Sequence, residues 1–271
     1  MAGKAPESVP VSSHRLANHC GARQLMAMRA HIFHSVFWAM AGLMAIIGTP
    51  LLLVPGRWIS VQIIAAFARF VRLWFRVCGV KIEYRGLENL EGLGPVVLAA
   101  KHQSWGDGLL QVARDPDLAY VIGDHMLSFP LAGFYLKRAE AVVVDDKAGA
   151  RSGSAFDDGV DRLMKDERSA LIFPEGRIGD VGETLRFRRG TWKLARALNR
   201  PVVPVATNLG CFWPRKDWVL KPGTAVVEYL EPVMPGEDSR AFTQALQAQV
   251  REHTLALETE AQAEARTKAA A

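Results

Sequence analysis

The sequence predicts an α/β protein, a largely parallel sheet flanked by helices and preceded by an apolar helical segment that binds membrane. Three observations predict it. From residue 80 onward, short β-branched runs alternate with longer stretches of helical pattern, the alternation that builds a parallel sheet covered by helices. Ahead of them, residues 30–56 contain no Asp, Glu, Lys or Arg. A His–Asp pair directly follows one apolar run and a Glu-Gly-Arg turn follows another, as expected at the ligand-binding rim of such a sheet.

Residues 1–28 are polar and glycine-containing without a clear period, and are expected to form a flexible N-terminus. Residues 29–79 are expected to be membrane-associated helices. The uncharged stretch 30–56 exceeds the roughly 20 residues needed to cross a bilayer as a helix. Gly48-Thr49-Pro50 interrupts it, and Pro50 has no N–H for the helix ladder, so a kink or a reversal is expected there. A second apolar run, Trp58 to Phe75, carries Arg69 and Arg72 and is followed at once by Arg76, at spacings that put the three near one helical face, which suits anionic headgroups.

Positive charge flanks the first run on both sides, with Arg15, Arg23 and Arg29 before it and Arg57 and Arg69 after. The positive-inside bias therefore gives no orientation. Two helices dipping into one leaflet accommodate that symmetry better than a single span, and the expected location is the cytoplasmic face of the inner membrane. A cleaved signal peptide fits less well, because the apolar region starts late and no small-x-small site closes it before Pro55-Gly56. A buried helix pair in a soluble protein is the other rival.

Residues 80–238 are expected to be the catalytic domain, with strands at Val80–Tyr84, Val96–Ala100, Ala119–Ile122, Ala141–Val144, Ala170–Phe173, Val202–Ala206 and Ala225–Tyr229. Residues 239–271 are expected to form a C-terminal helix and tail, fraying in the Ala-Glu-Ala-rich end.

At 271 residues the chain can hold one sizeable core plus a membrane-binding extension. A hydrophobic content of 49% is high for a soluble enzyme, and a net charge of +5 favours an anionic partner. That partner is expected to be a membrane surface and not nucleic acid, since zinc spacings, RNA-binding aromatic blocks and basic arms are all missing from the sequence. Cys20, Cys78 and Cys211 are odd in number and scattered, which argues against a disulfide framework and for a reducing compartment.

The chemistry-bearing residues are His102 and Asp107, in Lys101-His102-Gln103-Ser104-Trp105-Gly106-Asp107, and Phe173-Pro174-Glu175-Gly176-Arg177. They supply a proton acceptor, an anion to orient it and a cation for an acidic substrate. Arg186, Arg188, Arg189 and Lys193 follow closely and add basic charge for acidic headgroups or a phosphopantetheine-bearing donor, some of it as a solvated face. Ser104 is spaced like the serine of a nucleophile elbow, but His102 stands where the tight turn needs glycine. His125 lacks a companion block and reads as structural or surface.

The His-x-x-x-x-Asp block, the Phe-Pro-Glu-Gly-Arg block, Phe187-Arg188-Arg189-Gly190 and the Pro201–Val205 strand occur in the order seen in glycerolipid acyltransferases. The likeness covers roughly residues 70 to 235 and most closely resembles the 1-acylglycerol-3-phosphate acyltransferases. The resemblance implies that His102 is the catalytic base, that Asp107 holds it, and that Glu175, Gly176 and Arg177 help bind the acceptor's phosphate, with Arg188 beside them. It implies acyl-CoA or acyl carrier protein as co-substrate, a lysolipid as acceptor and no resident cofactor or metal. Two departures bear on the acceptor. The hydroxyl residue the family usually carries between Gly176 and Arg177 is missing, and the strand at Ala141–Val144 runs into Asp145-Asp146-Lys147 where an arginine is usual. Lys147, Lys137 or Arg138 are substitutes for that cation, and lyso-ornithine lipid or another lysolipid is an alternative acceptor. A non-enzymatic lipid-binding protein is the reading from another class.

Overall fold

The computed structural model describes residues 13–51, 53–129, 132–144, 154–216 and 219–270. In chain order the elements are α1 (Ser13–Leu51), α2 (Trp58–Val77), β1 (Val80–Arg85), β2 (Val97–Ala100), α3 (Asp107–Arg114), β3 (Ala119–Gly123), α4 (Ala132–Arg138), β4 (Val142–Val144), α5 (Ser154–Lys165), β5 (Ala170–Ile172), α6 (Gly190–Leu198), β6 (Val202–Thr207), β7 (Gly223–Tyr229) and α7 (Ser239–Ala270). Each expected strand is present with its ends shifted by at most two residues. The sheet order is β1-β7-β6-β2-β5-β3-β4. All neighbouring pairs are parallel except β6 and β7, so β1 and β7 run against the other five.

β2 and β5 are adjacent, yet the helices that follow them go to opposite faces. The α3 side chains Leu110 and Val112 join the core with α2, whereas Leu194 and Leu198 of α6 join the core under α5 and α7. Where successive helices diverge, the carboxyl ends of the strands leave a crevice that neither helix covers. Residues 101–107 and 173–177 leave β2 and β5 at this point.

The N-terminal helices pack as a hairpin on one face of the sheet. α2 buries Val61, Ala65, Ala68, Val71 and Phe75, spaced three and four apart, against α3 and β1. A fully buried side chain such as Phe75 contributes about 1.5–3 kcal/mol. α1 joins this core through Phe33, whose ring stacks on Phe75 at 5.2 Å and meets Trp213 edge-on at 5.1 Å. The reversal expected at Gly48-Thr49-Pro50 comes at the last turn of α1, where Pro50 and Leu51 accept from the amides of Leu53 and Val54. Arg57, opening α2, then reaches Asp166 at 2.7 Å and Asp117 at 3.4 Å, tying the turn to the end of α5 and the start of β3.

Two expectations for the ends are corrected. α1 begins at Ser13, so the boundary expected at residue 28 falls inside the helix. The segment before residue 29 is rich in Ala, Leu, Met, Gln and Arg, whose helix propensity outweighs its polarity. At the other end α7 continues as helix to Ala270. Glu264 accepts from the Thr224 amide at 3.0 Å and Glu260 pairs with Arg85 at 2.9 Å, so the Ala/Glu-rich run is held on the edge of the sheet.

Exposed apolar side chains gather around the hairpin. Leu43, Ile46, Ile47 and Leu51 form one stripe of α1, and Leu53 and Trp58 continue it through the turn. Phe129, ahead of α4, and Phe134, on α4, are also exposed. Phe134 lies one helical turn from Arg138, whose guanidinium donates to the Val54 carbonyl, and the neighbouring Tyr135 hydroxyl donates to the Met44 carbonyl. α4 is thereby fastened beside the tip of the hairpin. Arg69, Arg72 and Arg76 lie on the exposed side of α2.

Candidate active site

β2 ends at Ala100 and the chain turns outward, with every residue from 101 to 107 except Trp105 buried or half-buried. Asp107, in the first turn of α3, organises this turn through one oxygen. Its Oδ2 accepts from the Gln103 N–H at 2.7 Å, from the Ser104 N–H at 2.8 Å and from His102 Nδ1 at 3.0 Å. A carboxylate only accepts, so Nδ1 carries a proton, and in the neutral ring Nε2 then keeps its lone pair. Asp107 Oδ1 is buried and has no hydrogen-bond partner among the described residues; its position at the start of α3 sets it in the favourable field of the helix N-terminus. The His102 ring lies on Phe173, with centroids 3.9 Å apart and planes 16° apart, so the residue ending the β5 block fixes the tilt of the imidazole. At 18% side-chain exposure, His102 is reachable from the rim.

The backbone of His102 is held from both sides. Its N–H donates to Glu175 Oε2 at 3.1 Å, and its carbonyl accepts from the Gly179 N–H at 2.8 Å. The other Glu175 oxygen accepts from the Lys101 ammonium, and both side chains are almost wholly buried. Burial pushes the Glu175 carboxyl above its ordinary range, while the charge and hydrogen bond of Lys101 and the His102 amide pull it down. Glu175 therefore acts on the site by positioning His102, with both oxygens engaged inside the protein.

Gly176 has φ of +69°, the left-handed region, and a Cβ built on it would lie 2.7 Å from the Arg188 guanidinium carbon. The turn thus needs glycine twice over, and Arg188 rests directly on it. Arg177 follows, half-exposed, and donates to Glu183 at 2.6 Å. Glu183 is held below the usual carboxylate range first by the Asp180 N–H and then by Arg177. Asp180 in turn accepts from Lys216 at 2.6 Å. Residues 179–183 therefore form a braced loop beside His102.

All six residues singled out in the sequence, His102, Asp107, Glu175, Gly176, Arg177 and Arg188, belong to this one rim. Sequence reasoning missed Lys101 and Phe173 as parts of it. A lysine prolonging a wholly apolar strand is the signal for Lys101, because it forces a buried charge to find a partner. The other candidates are engaged structurally or lie outside the described residues. Ser104 is fully buried and its hydroxyl accepts from the Gly106 N–H at 3.2 Å, a structural position. Arg138 is engaged at the hairpin tip, and Asp145, Asp146 and Lys147 lie outside the described residues. Burial pushes the Cys211 thiol up to about 11, leaving it a poor nucleophile. Among the described residues no cluster of His, Cys, Asp and Glu is arranged to hold a metal ion.

A family model described as Acyltransferase matches residues 81–208. Among curated proteins, a 1-acyl-sn-glycerol-3-phosphate acyltransferase of Pseudomonas aeruginosa is 34% identical over 171 residues, covering 62% of this chain and 65% of that protein. The beta form of the same activity from Homo sapiens is 26% identical over 179 residues, covering 64% of this chain and 63% of its own length. The chain thus spans slightly less than two thirds of each of these relatives. The crystal structure of a 1-acyl-sn-glycerophosphate acyltransferase from Thermotoga maritima superposes with a TM-score of 0.69 at 19% identity, over 86% of this chain and 98% of that one, and so has the same fold. The matched region opens in β1 and closes just past β6, enclosing the whole rim from His102 to Arg188, and over that rim the chain is similar to acyltransferases.

Proposed function

We propose that this protein is a membrane-bound O-acyltransferase that moves a fatty acyl group from a thioester to the free hydroxyl of a lysolipid, with 1-acylglycerol-3-phosphate as the acceptor. The observation that carries this reading is the His102–Asp107 pair, with Nε2 left basic, at the same rim as Arg177 and Arg188. The acceptor hydroxyl attacks the thioester carbonyl as Nε2 removes its proton. The tetrahedral centre collapses with loss of the carbon–sulfur bond, and the imidazolium returns the proton to the departing thiolate. An ester and a free thiol result, and no covalent enzyme intermediate forms. Asp107 stabilises the imidazolium, and the arginines match the acceptor's phosphate oxygens.

The donor is acyl-CoA or acyl carrier protein loaded with a fatty acyl thioester. Lyso-ornithine lipid is the second acceptor to test, because Arg138, a candidate to replace the arginine missing after β4, is engaged by the Val54 carbonyl at the hairpin tip. The test offers purified, detergent-solubilised protein a labelled acyl thioester with each acceptor in parallel. Transfer to lysophosphatidic acid supports the reading, transfer only to the other lysolipid changes the acceptor, and transfer to neither sinks it. Ser104→Ala is expected to keep kcat within about fivefold of wild type, since the lost bond is worth about 1 kcal/mol; loss of all activity would point to a seryl intermediate instead.

Membrane association is supported by the exposed apolar stripe and by the two helices long and apolar enough to cross a bilayer. One face of α2 is committed to the protein core, which favours a hairpin lying in one leaflet over two lipid-surrounded spans. The cytoplasmic leaflet follows from the intracellular origin of acyl thioesters. Replacing Trp58, Phe129 and Phe134 together with Ser is expected to weaken partitioning onto anionic vesicles by at least about 10²-fold, each apolar side chain contributing 1 kcal/mol or more. Co-sedimentation checks this, and unchanged binding would remove α4 from the membrane surface.

A further inference from the structure

A carboxylate from the far end of the chain reaches the base of the site. Glu258 lies on α7, outside the region matched by the family model, and is 4% exposed. Its Oε1 accepts from Gln103 Nε2 at 2.5 Å and from the Gly182 N–H at 3.3 Å. The preceding Leu257 carbonyl accepts from Asn208 Nδ2 at 3.0 Å, and Asn208 Oδ1 accepts from the Val226 N–H at 2.7 Å. α7 is thereby docked on β6 and β7 at the level of the active rim.

Both groups that Glu258 holds are coupled to the site. Gln103 follows His102 directly and has little room to shift. Its N–H is bound to Asp107, and Gly210 lies so close that a Cβ there would meet Gln103 Cβ at 2.8 Å. Gly182 belongs to the loop whose Gly179 N–H holds the His102 carbonyl and whose Glu183 holds Arg177. One oxygen of Glu258 therefore links the residue after the base to the loop that carries the partner of the binding arginine. Without it, the amide of Gln103, 1% exposed, keeps a buried donor with no acceptor, and must move to find one.

We infer that Glu258 is a positioning residue for acyl transfer, setting His102 and Arg177 at their working separation. The inference rests on the acyltransferase reading above. Its test compares full-length Glu258→Leu, Glu258→Gln and Gln103→Leu proteins by steady-state kinetics, melting, and amide hydrogen exchange of residues 179–183. In Glu258→Leu, kcat is expected to fall by about 10- to 100-fold, the scale of an ångström-sized misplacement at a reacting group. The acceptor KM rises severalfold as Arg177 loses its bracing, and the donor KM is unchanged. Glu258→Gln keeps an oxygen at the same place and is expected to recover to within about threefold of wild type. The Glu258→Leu/Gln103→Leu double variant is expected to be no slower than Glu258→Leu, because Gln103→Leu removes only a contact that Glu258→Leu has already broken.

Exchange at 179–183 should quicken in Glu258→Leu and return to normal in Glu258→Gln. A lowered melting temperature with kcat and acceptor KM unchanged per folded molecule would make Glu258 a purely structural residue and overturn the proposal. If Glu258→Leu does not fold, Gln103→Leu cuts the same bond from the other side, and a wild-type kcat there overturns the proposal equally. Hydrogen exchange needs no turnover, so a wild-type protein that acylates no acceptor would sink the acyltransferase reading, while the exchange result still decides whether the tether exists.

Discussion

Replacing His102 with Ala is expected to lower kcat by about 10³- to 10⁴-fold, the contribution of a positioned general base, while leaving vesicle binding and melting nearly unchanged. Changes at Asp107 should grade below it in an order set by the hydrogen-bond pattern. All three donors at Asp107, the Gln103 and Ser104 amides and His102 Nδ1, converge on Oδ2, and Oδ1 has no hydrogen-bond partner among the described residues. An asparagine with its oxygen in the Oδ2 position keeps all three bonds, holds the imidazole in the same tautomer and loses only the negative charge that stabilises the imidazolium. Asp107→Asn is therefore expected to lose about 10²-fold in kcat, the lower end of general-base effects, with its NH₂ buried where Oδ1 was. Asp107→Ala removes the acceptor from two backbone amides as well and should approach His102→Ala in rate while also melting lower. Single-turnover transfer and thermal melting on the four proteins check the order. If Asp107→Asn is as slow as His102→Ala, the amide has turned its NH₂ to the ring and the single-oxygen account is wrong.

That ordering came from the structure, but the residues in it were readable from sequence. A His five positions before an Asp, directly after the apolar run Val96–Ala100, placed the pair at the end of a strand, and Ala170–Phe173 before Glu175 placed the second block at the end of another. What residue order does not encode is which strands lie side by side. The adjacency of β2 and β5, which brings the two blocks together, depends on a chain path that leaves β2, builds β3 and β4, and returns. The antiparallel setting of β6 and β7 is equally silent in sequence, because a fully buried strand reads as the same apolar run in either direction.

The contribution of α7 was hidden for a different reason. Glu258 sits in a helix rich in Glu, where a carboxylate reads as a solvated face, and only the packing of α7 against β6 turns it inward. The early start of α1 was missed because polarity was weighed above helix propensity. The apolar stripe of α1 was legible as hydropathy, whereas the fastening of α4 beside it depends on the hydrogen bond from Arg138 to the turn after α1, which links residues far apart in sequence.

Lys101→Met is expected to have the largest effect on stability. The Lys101 and Glu175 side chains are 6% and 1% exposed, so removing the lysine leaves a buried carboxylate with only the His102 N–H to compensate it. Breaking one half of a buried pair costs about 3–5 kcal/mol, on the order of a 10 °C fall in melting temperature for a chain of this size. The loss should depend on pH in a definite direction. Burial already pushes the Glu175 carboxyl above its ordinary 4.5, and removing Lys101 takes away the charge that opposes the rise. A carboxyl whose folded value exceeds its unfolded one binds its proton more tightly when folded. Its destabilising effect is therefore complete above the raised value and fades as the pH falls toward 4.5. The melting deficit of Lys101→Met relative to wild type should accordingly shrink on acidification through that window. Adding Glu175→Gln to Lys101→Met removes the uncompensated charge and keeps an oxygen for the His102 amide, so the double variant should regain most of the lost stability and lose the pH dependence. A deficit that is flat with pH, or a double variant less stable than Lys101→Met, would mean that Lys101 acts through packing of its aliphatic chain and not as the counterion that holds Glu175 behind the base.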